Sequence, residues 1–180
     1  MLTKRNLRKE QKKRLAEVSR AKQLYEENIQ TLLVDFFASQ RFRVISYFAD
    51  ALEVELGFLS EVATLQLYYP RIVDVQNRVL QFVLPQSWEK GPYGIRQPTG
   101  SVYLEPRQAD WIIVPALAFN GQGFRLGRGG GYYDRALQSV RQEKLIGVLW
   151  LQDLLLDFSP DDHDICIAKL ISNDGVLNFV

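Results

Sequence analysis

The run Arg125-Leu126-Gly127-Arg128-Gly129-Gly130-Gly131-Tyr132-Tyr133-Asp134-Arg135 constrains this chain more than any other stretch. Glycines leave backbone N–H groups uncovered, so a close-packed set of them lets the main chain approach an anion, and Arg125 and Arg128 add positive charge to the same volume. That volume suits a phosphate. The apolar run Val114-Pro115-Ala116-Leu117-Ala118-Phe119-Asn120 precedes it and a helix-like segment follows, which gives strand, glycine loop, helix. The loop does not complete the GxxxxGK[ST] pattern of a P-loop or the GxGxxG spacing of a dinucleotide fold. A tight turn with surface arginines is the plain alternative.

At 180 residues the chain has the length of one ordinary globular domain, and no boundary, repeat or low-complexity tract divides it. Its formal charge of +1 gives no global attraction to nucleic acid or membrane, so any electrostatic function must come from local clustering. One cluster exists. Lys4, Arg5, Arg8, Lys9, Lys12, Lys13, Arg14, Arg20 and Lys22 face only Glu10 and Glu17 between residues 4 and 22. This segment is either a solvated helix face or a ligand-facing arm. No secretory signal pattern and no apolar run of about 20 residues is present, which points to a cytoplasmic protein with no membrane partner. The single Cys166 lies in Ile165-Cys166-Ile167 and reads as a small buried residue without chemistry.

Leu15, Val18, Tyr25, Ile29, Leu32 and Phe36 recur with helical spacing, with Ser19 able to cap a break. Phe42 to Phe48 predicts a strand and Glu53 to Leu65 a helix. Further strands are expected at Leu65 to Tyr69, Val79 to Leu84, Trp111 to Ala118, Leu145 to Leu151 and Ile165 to Ile171. Trp111-Ile112-Ile113-Val114 and Leu145-Ile146-Gly147-Val148-Leu149 are apolar without alternation, as interior parallel strands covered on both faces require. A crossover helix is expected from Tyr132 to about Gln142. Between Pro85 and Gln108 the many prolines and glycines exclude a long regular element.

A triphosphate usually brings Mg²⁺, which asks for one or two carboxylates. Asp134 is the first candidate, and Asp164, after Pro160-Asp161-Asp162-His163, is the second; a merely solubilising turn is the alternative for the latter. His163, the sole histidine, cannot build a multi-histidine metal site.

Lys4-Arg5-Asn6-Leu7-Arg8, Glu53-Val54-Glu55, Gly94-Ile95-Arg96-Gln97-Pro98, the Val114 to Arg135 stretch, Gln152 and the Pro160 to Asp164 turn together resemble the 5-formyltetrahydrofolate cyclo-ligase family, also called methenyltetrahydrofolate synthetases. The resemblance spans nearly the whole chain. It implies a single domain over residues 1–180, with an N-terminal basic helix at 3–38 packed on an α/β body. That body is a three-layer α/β/α fold with a mostly parallel sheet, like the sugar-phosphate isomerase and CoA-transferase group. The implied reaction is ATP- and Mg²⁺-dependent closure of 5-formyltetrahydrofolate to 5,10-methenyltetrahydrofolate by a monomer, through phosphorylation of the formyl oxygen.

Carried over by motif, Lys4 and Arg128 act in catalysis. Lys4, Arg5, Asn6, Leu7 and Arg8 bind ATP, as do Arg125, Leu126, Gly127, Arg128, Gly129, Gly130, Gly131, Tyr132 and Tyr133. Asp50, Glu55, Arg128, Gly129, Gly130, Gly131 and Tyr132 bind the folate, with Tyr132, Phe119, Trp88 and Tyr93 as aromatic walls, and Asp134 and Asp164 hold Mg²⁺. Asn120, Leu56 and Ser172-Asn173 depart from the family pattern. A non-catalytic folate or nucleotide regulator and an RNA-binding module on the basic helix are the competing readings; retention of Arg128, Asp134 and Asp164 opposes the first, and the lack of an RNA-binding motif opposes the second.

Overall fold

The structure is a computed structural model that describes residues 3–152 and 155–179. The ends of the expected 1–180 domain, and residues 153 and 154, lie outside the described residues.

The chain opens with α1 (Lys4–Val18) and α2 (Gln23–Phe37), joined by a 3₁₀ turn at Ser19–Ala21, so the expected long helix is broken near Ser19. Thr3 caps α1 by accepting from the Asn6 N–H at 3.4 Å. In α1 the buried stripe is Leu7, Gln11 and Leu15, and in α2 it is Ile29, Leu33 and Phe37. Both stripes advance four residues at a time. Val18, Tyr25, Leu32 and Phe36 flank them and pack at the edge of the core.

Strands β1 (Phe42–Ile45), β2 (Leu65–Asp74), β3 (Val79–Val83), β4 (Ser87–Lys90), β5 (Arg96–Thr99), β6 (Tyr103–Leu104), β7 (Trp111–Val114), β8 (Ala118–Phe119) and β9 (Arg125–Leu126) follow. Helix α3 (Tyr132–Ala136) and strands β10 (Leu145–Val148), β11 (Lys169–Ser172) and β12 (Gly175–Asn178) complete the order. Eight strands form one sheet in the order β12-β11-β10-β7-β1-β2-β3-β6. Its centre, β11-β10-β7-β1-β2, is parallel, and β12, β3 and β6 add antiparallel edges. The fold is the expected mostly parallel sheet flanked by helices, with α2 packed on β11. Ile112, Ile113, Val114 and Ile146 are fully buried, as their uniform apolarity requires.

Several elements differ from the sequence reading. The expected helix from Glu53 is irregular chain with only a 3₁₀ turn at Gly57–Glu61. Pro115 ends the strand begun at Trp111, and Ala118–Phe119 pairs instead with Arg125–Leu126 in a separate ribbon. The crossover helix shrinks to the five residues of α3, so its end contributes little dipole. The breaker-rich segment holds the β4–β5 hairpin. Cys166 is half-buried rather than enclosed: it forms an isolated bridge with Phe124, and its Sγ donates to the Gln122 carbonyl at 3.2 Å.

Gly147 in β10 is required by packing. A Cβ there would lie 2.6 Å from Ile167 Cδ1 and closer still to the ring of fully buried Phe119, neither of which has room to retreat. Gly147→Ala is expected to cost about 1–3 kcal/mol, read as a lower urea midpoint. An unchanged midpoint would show that the core around Phe119 is loosely packed.

Candidate active site

In parallel sheets, ligands sit beyond the carboxyl ends of strands where neighbouring connections run in opposite directions. Here that point is β1, between β2 and β7. The chain leaving β1 supplies Tyr47, Phe48, Asp50 and Glu53, and the chain leaving β7 supplies Pro115, to a cavity of about 240 Å³. Ile72 and Leu80 from the β2–β3 ribbon make it apolar on one side, and Arg125 and the loop from Arg128 to Tyr133 close another. The glycine loop faces this cavity.

Arg125 fixes the loop's shape. Its guanidinium is 6% exposed, donates through Nη1 to the Pro115 carbonyl at 2.9 Å and through Nη2 to Asp134 Oδ1 at 2.6 Å, and stacks near the Tyr133 ring. Gly127 crosses directly over it: a Cβ at Gly127 would be 2.6 Å from Arg125 Nη1. Only a glycine passes there. Gly129 and Gly131 adopt φ of 91° and 70°, which an L side chain rarely takes. Arg8 pins the loop from the helix side by donating from Nε to the Gly127 carbonyl at 2.9 Å.

Arg128 reaches the opposite wall, with Nη2 at 2.6 Å from Asp50 Oδ2 and 3.2 Å from Glu53 Oε1. Asp50 is half-exposed, whereas the Glu53 side chain is 8% exposed and also accepts from the Asp50 N–H. Burial lifts the Glu53 carboxyl above its ordinary value, and Arg128 opposes that shift more than Asp50 adds to it. Tyr47 and Tyr133 are likewise pushed up by burial. Arg128 thus meets one half-exposed acid, Asp50, and one desolvated acid, Glu53.

The remaining expected residues take different places. Leu7 and Leu126 are buried with Ala118 and Phe158 in a small apolar cluster, where they anchor α1 to the loop's base rather than face a ligand. Glu55 is exposed and outside the cavity, its Oε1 accepting from the Gly57 N–H; the acids that line the cavity are Asp50, as expected, and Glu53, to which the sequence reading gave no role. Phe119 and Leu56 are fully buried core, and Trp88 packs against Phe48 and Tyr69. Tyr132 and Tyr93 do line the cavity, their hydroxyls 3.2 Å apart. Arg5 and Asn6 are exposed on α1.

The basic arm divides along its length. Lys9, Lys12 and Lys13 are exposed, while Lys4 turns inward onto Asp161, at 2.6 Å, and onto Asp164. One cation thus spans both carboxylates, and ligand atoms of Asp161, His163 and Asp164 lie within 4.8 Å of one another. That donor set fits a hard cation, although Asp134, the other expected metal residue, is engaged by Arg125. Asn120, where the family pattern has an acid, holds its turn by accepting from the Gln122 and Phe124 N–H groups and donating to the Phe158 carbonyl.

The model of the 5-formyltetrahydrofolate cyclo-ligase family matches residues 1–172. A 5-formyltetrahydrofolate cyclo-ligase of Mycolicibacterium smegmatis is 33% identical over 109 residues, covering 54% of this chain and 56% of that protein. One of Mycoplasma pneumoniae is 38% identical over 72 residues, 39% of this chain and 43% of that protein. Their matched parts are thus about half of each bacterial relative's length. The mouse protein of that name is 27% identical over 191 residues, covering 96% and 94%. Among solved structures, a 5,10-methenyltetrahydrofolate synthetase from Mycoplasma pneumoniae superposes with a TM-score of 0.76 over 94% of this chain and 98% of that chain at 24% identity, which shows the fold. One from Aquifex aeolicus gives 0.73 over 96% and 93% at 26% identity.

The tether of α1 has a defined pH range. Burial pulls the Lys4 ammonium down, but hydrogen bonds and charge from Asp161 and Asp164 outweigh this and leave it raised. Lys4 holds the Asp161 carboxyl below its usual range, so the Asp161 half of the tether is complete above about pH 4 and is lost as pH falls through Asp161's depressed value. Amide-exchange protection of residues 7–11 should fall across that acid range. Lys4→Met should show the weakened protection already at neutral pH; wild-type protection in that variant would mean the tether does not hold the helix.

Proposed function

Because the chain belongs to the 5-formyltetrahydrofolate cyclo-ligase family, we propose that it is an ATP-dependent ligase that closes 5-formyltetrahydrofolate to 5,10-methenyltetrahydrofolate, releasing ADP and phosphate. The observation that carries this reading is the glycine loop, pre-shaped by Arg125, presenting Arg128 to a cavity whose other wall is apolar and whose floor holds a buried acid.

The chemistry explains why a phosphate site and a ring pocket must adjoin. A formyl oxygen on an amide nitrogen is a poor leaving group, so direct loss of water on cyclisation is slow. Its attack on the γ-phosphorus of ATP breaks the bond to ADP and makes the oxygen displaceable. The neighbouring aryl amine then adds to the formyl carbon and loses its proton, and the former formyl oxygen departs within inorganic phosphate. The protein positions the two ligands and stabilises charge as it moves.

Arg128 is the residue best placed to follow that charge. It is paired with half-exposed Asp50 and with buried Glu53; swinging to a transferred phosphoryl group exchanges these pairs, the Asp50 one worth little in water, for charge-assisted hydrogen bonds in a closed site. The uncovered amides of Gly129 to Gly131 complete the cradle. Arg8 grips the Gly127 carbonyl through Nε and brings its positive charge to the loop. Glu53, once Arg128 leaves it, is a buried acceptor for the adjacent N–H donors of a pterin ring, with Tyr132 and Tyr93 as stacking walls. Asp161 and Asp164 would hold Mg²⁺, which neutralises phosphate charge when bound, while Asp134, the other expected ligand, stays with Arg125. Lys4 occupies Asp161 and Asp164 meanwhile, and its release toward the nucleotide links phosphate binding to the cation site. The family resemblance further suggests a cytoplasmic monomer; among the described residues no helix is long and apolar enough to cross a membrane.

Mixing the protein with 5-formyltetrahydrofolate, Mg²⁺ and ATP should generate the methenyl chromophore, and omitting ATP should abolish it. Binding of both ligands with no chromophore would identify a non-catalytic folate protein instead. Arg128→Ala should lower kcat about 10²–10³-fold with the thermal midpoint preserved; wild-type turnover in the folded variant would remove this residue from the chemistry.

A further inference from the structure

Arg96, on β5, sets its guanidinium 4.7 Å from the ring centroids of both Phe48 and Trp88, which themselves meet at 4.9 Å and 61°. Two aromatic faces hold a cation in place without neutralising it. The contrast with the other cavity arginines is direct: Arg125 is paired to Asp134 and Arg128 to Asp50 and Glu53, while no described carboxylate forms an ion pair with Arg96. A positioned, unneutralised guanidinium is a site for an anion, and its planar fork matches a carboxylate.

Its location defines which anion. Arg96 is the wall shared by the main cavity and a second, more open cavity of about 250 Å³ over the β4–β5 hairpin, which Lys90 also lines. Glu89 also belongs to that second wall and accepts from Gln97 Nε2 at 2.9 Å, but Arg96 and Lys90 are two cations against this one acid, so the groove keeps a net positive charge. A ligand whose flat head fills the apolar cavity and whose chain leaves past exposed Ile95 must cross Arg96 and then meet Lys90.

We propose that Arg96, with Lys90 beyond it, is a carboxylate-recognition site that selects ligands carrying an acidic tail behind an aromatic head. This rests on the folate reading and names the end of the substrate it concerns: the glutamate moiety, and any further glutamates linked to it. The aromatic contacts hold the guanidinium in place, and pre-positioning lowers the ordering cost of capture.

The test compares a formylated substrate lacking glutamate, one with a single glutamate and one with three. Arg96→Met keeps length and stacking area while removing charge. It should raise KM about tenfold for the glutamate-bearing substrates, leave kcat unchanged, and leave the glutamate-free substrate unaffected; Arg96→Lys should recover most of the loss. A loss of equal size on all three substrates, or none on any, overturns the proposal and leaves Arg96 as a wall brace. Should Arg96→Met fail to fold, salt decides with the wild-type protein: added NaCl should raise KM for the triglutamate and not for the glutamate-free substrate, and equal salt response overturns the proposal. Calorimetry with 4-aminobenzoyl-triglutamate separates this inference from the reaction. Binding that weakens in Arg96→Met and is largely restored in Arg96→Lys supports the site even if no folate is turned over, and absence of binding to wild-type protein overturns it.

Discussion

The buried guanidinium of Arg125 is the constraint on which the rest of the site depends. It joins the carbonyl that ends β7, at Pro115, to the first turn of α3, at Asp134, and the glycine loop is draped across it at Gly127. Removing one partner from a buried pair of this kind costs about 3–5 kcal/mol, because the other charge remains desolvated and alone. The loop therefore has little freedom to choose another path. Its positive-φ glycines, its exposed amides and the outward aim of Arg128 follow from where that one side chain sits.

The architecture explains why both ligands meet at this point. Three parallel neighbours, β2, β1 and β7, deliver their carboxyl ends to one edge, and the connections leaving them diverge to leave a cleft. The apolar β2–β3 ribbon forms one side, the loop the other. Helix α1 seals the loop's outer face with Leu7 and Arg8, and the same helix brings Lys4 to the Asp161–Asp164 turn. A cleft of this kind can exclude water from a transferring phosphoryl group while leaving space for a flat ring.

Much of this was legible in the sequence, and the failures have physical causes. Uniform apolarity announced β7 and β10 as buried parallel strands, and the glycines announced the loop. Glu55 came from the family motif, which carries no local geometry; what marks Glu53 is its contact with Arg128, distant in sequence and visible only after folding. The helix expected from Glu53 lost to tertiary packing, since Val54, Leu56 and Leu59 are buried by an irregular path. The long helix after the glycines ended early because Leu137 has already left helical geometry. The basic arm offered two readings, and both hold along its length: a solvated stripe at Lys9, Lys12 and Lys13, and inward contacts at Lys4 and Arg8.

The central claim is that this loop serves to phosphorylate a formyl oxygen so that ring closure can expel it. The most direct measurement follows the oxygen itself, using 5-formyltetrahydrofolate labelled with ¹⁸O in the formyl group and mass analysis of the phosphate released in one turnover. The account requires the label to appear in inorganic phosphate. Unlabelled phosphate, with the ¹⁸O recovered in water, would contradict it.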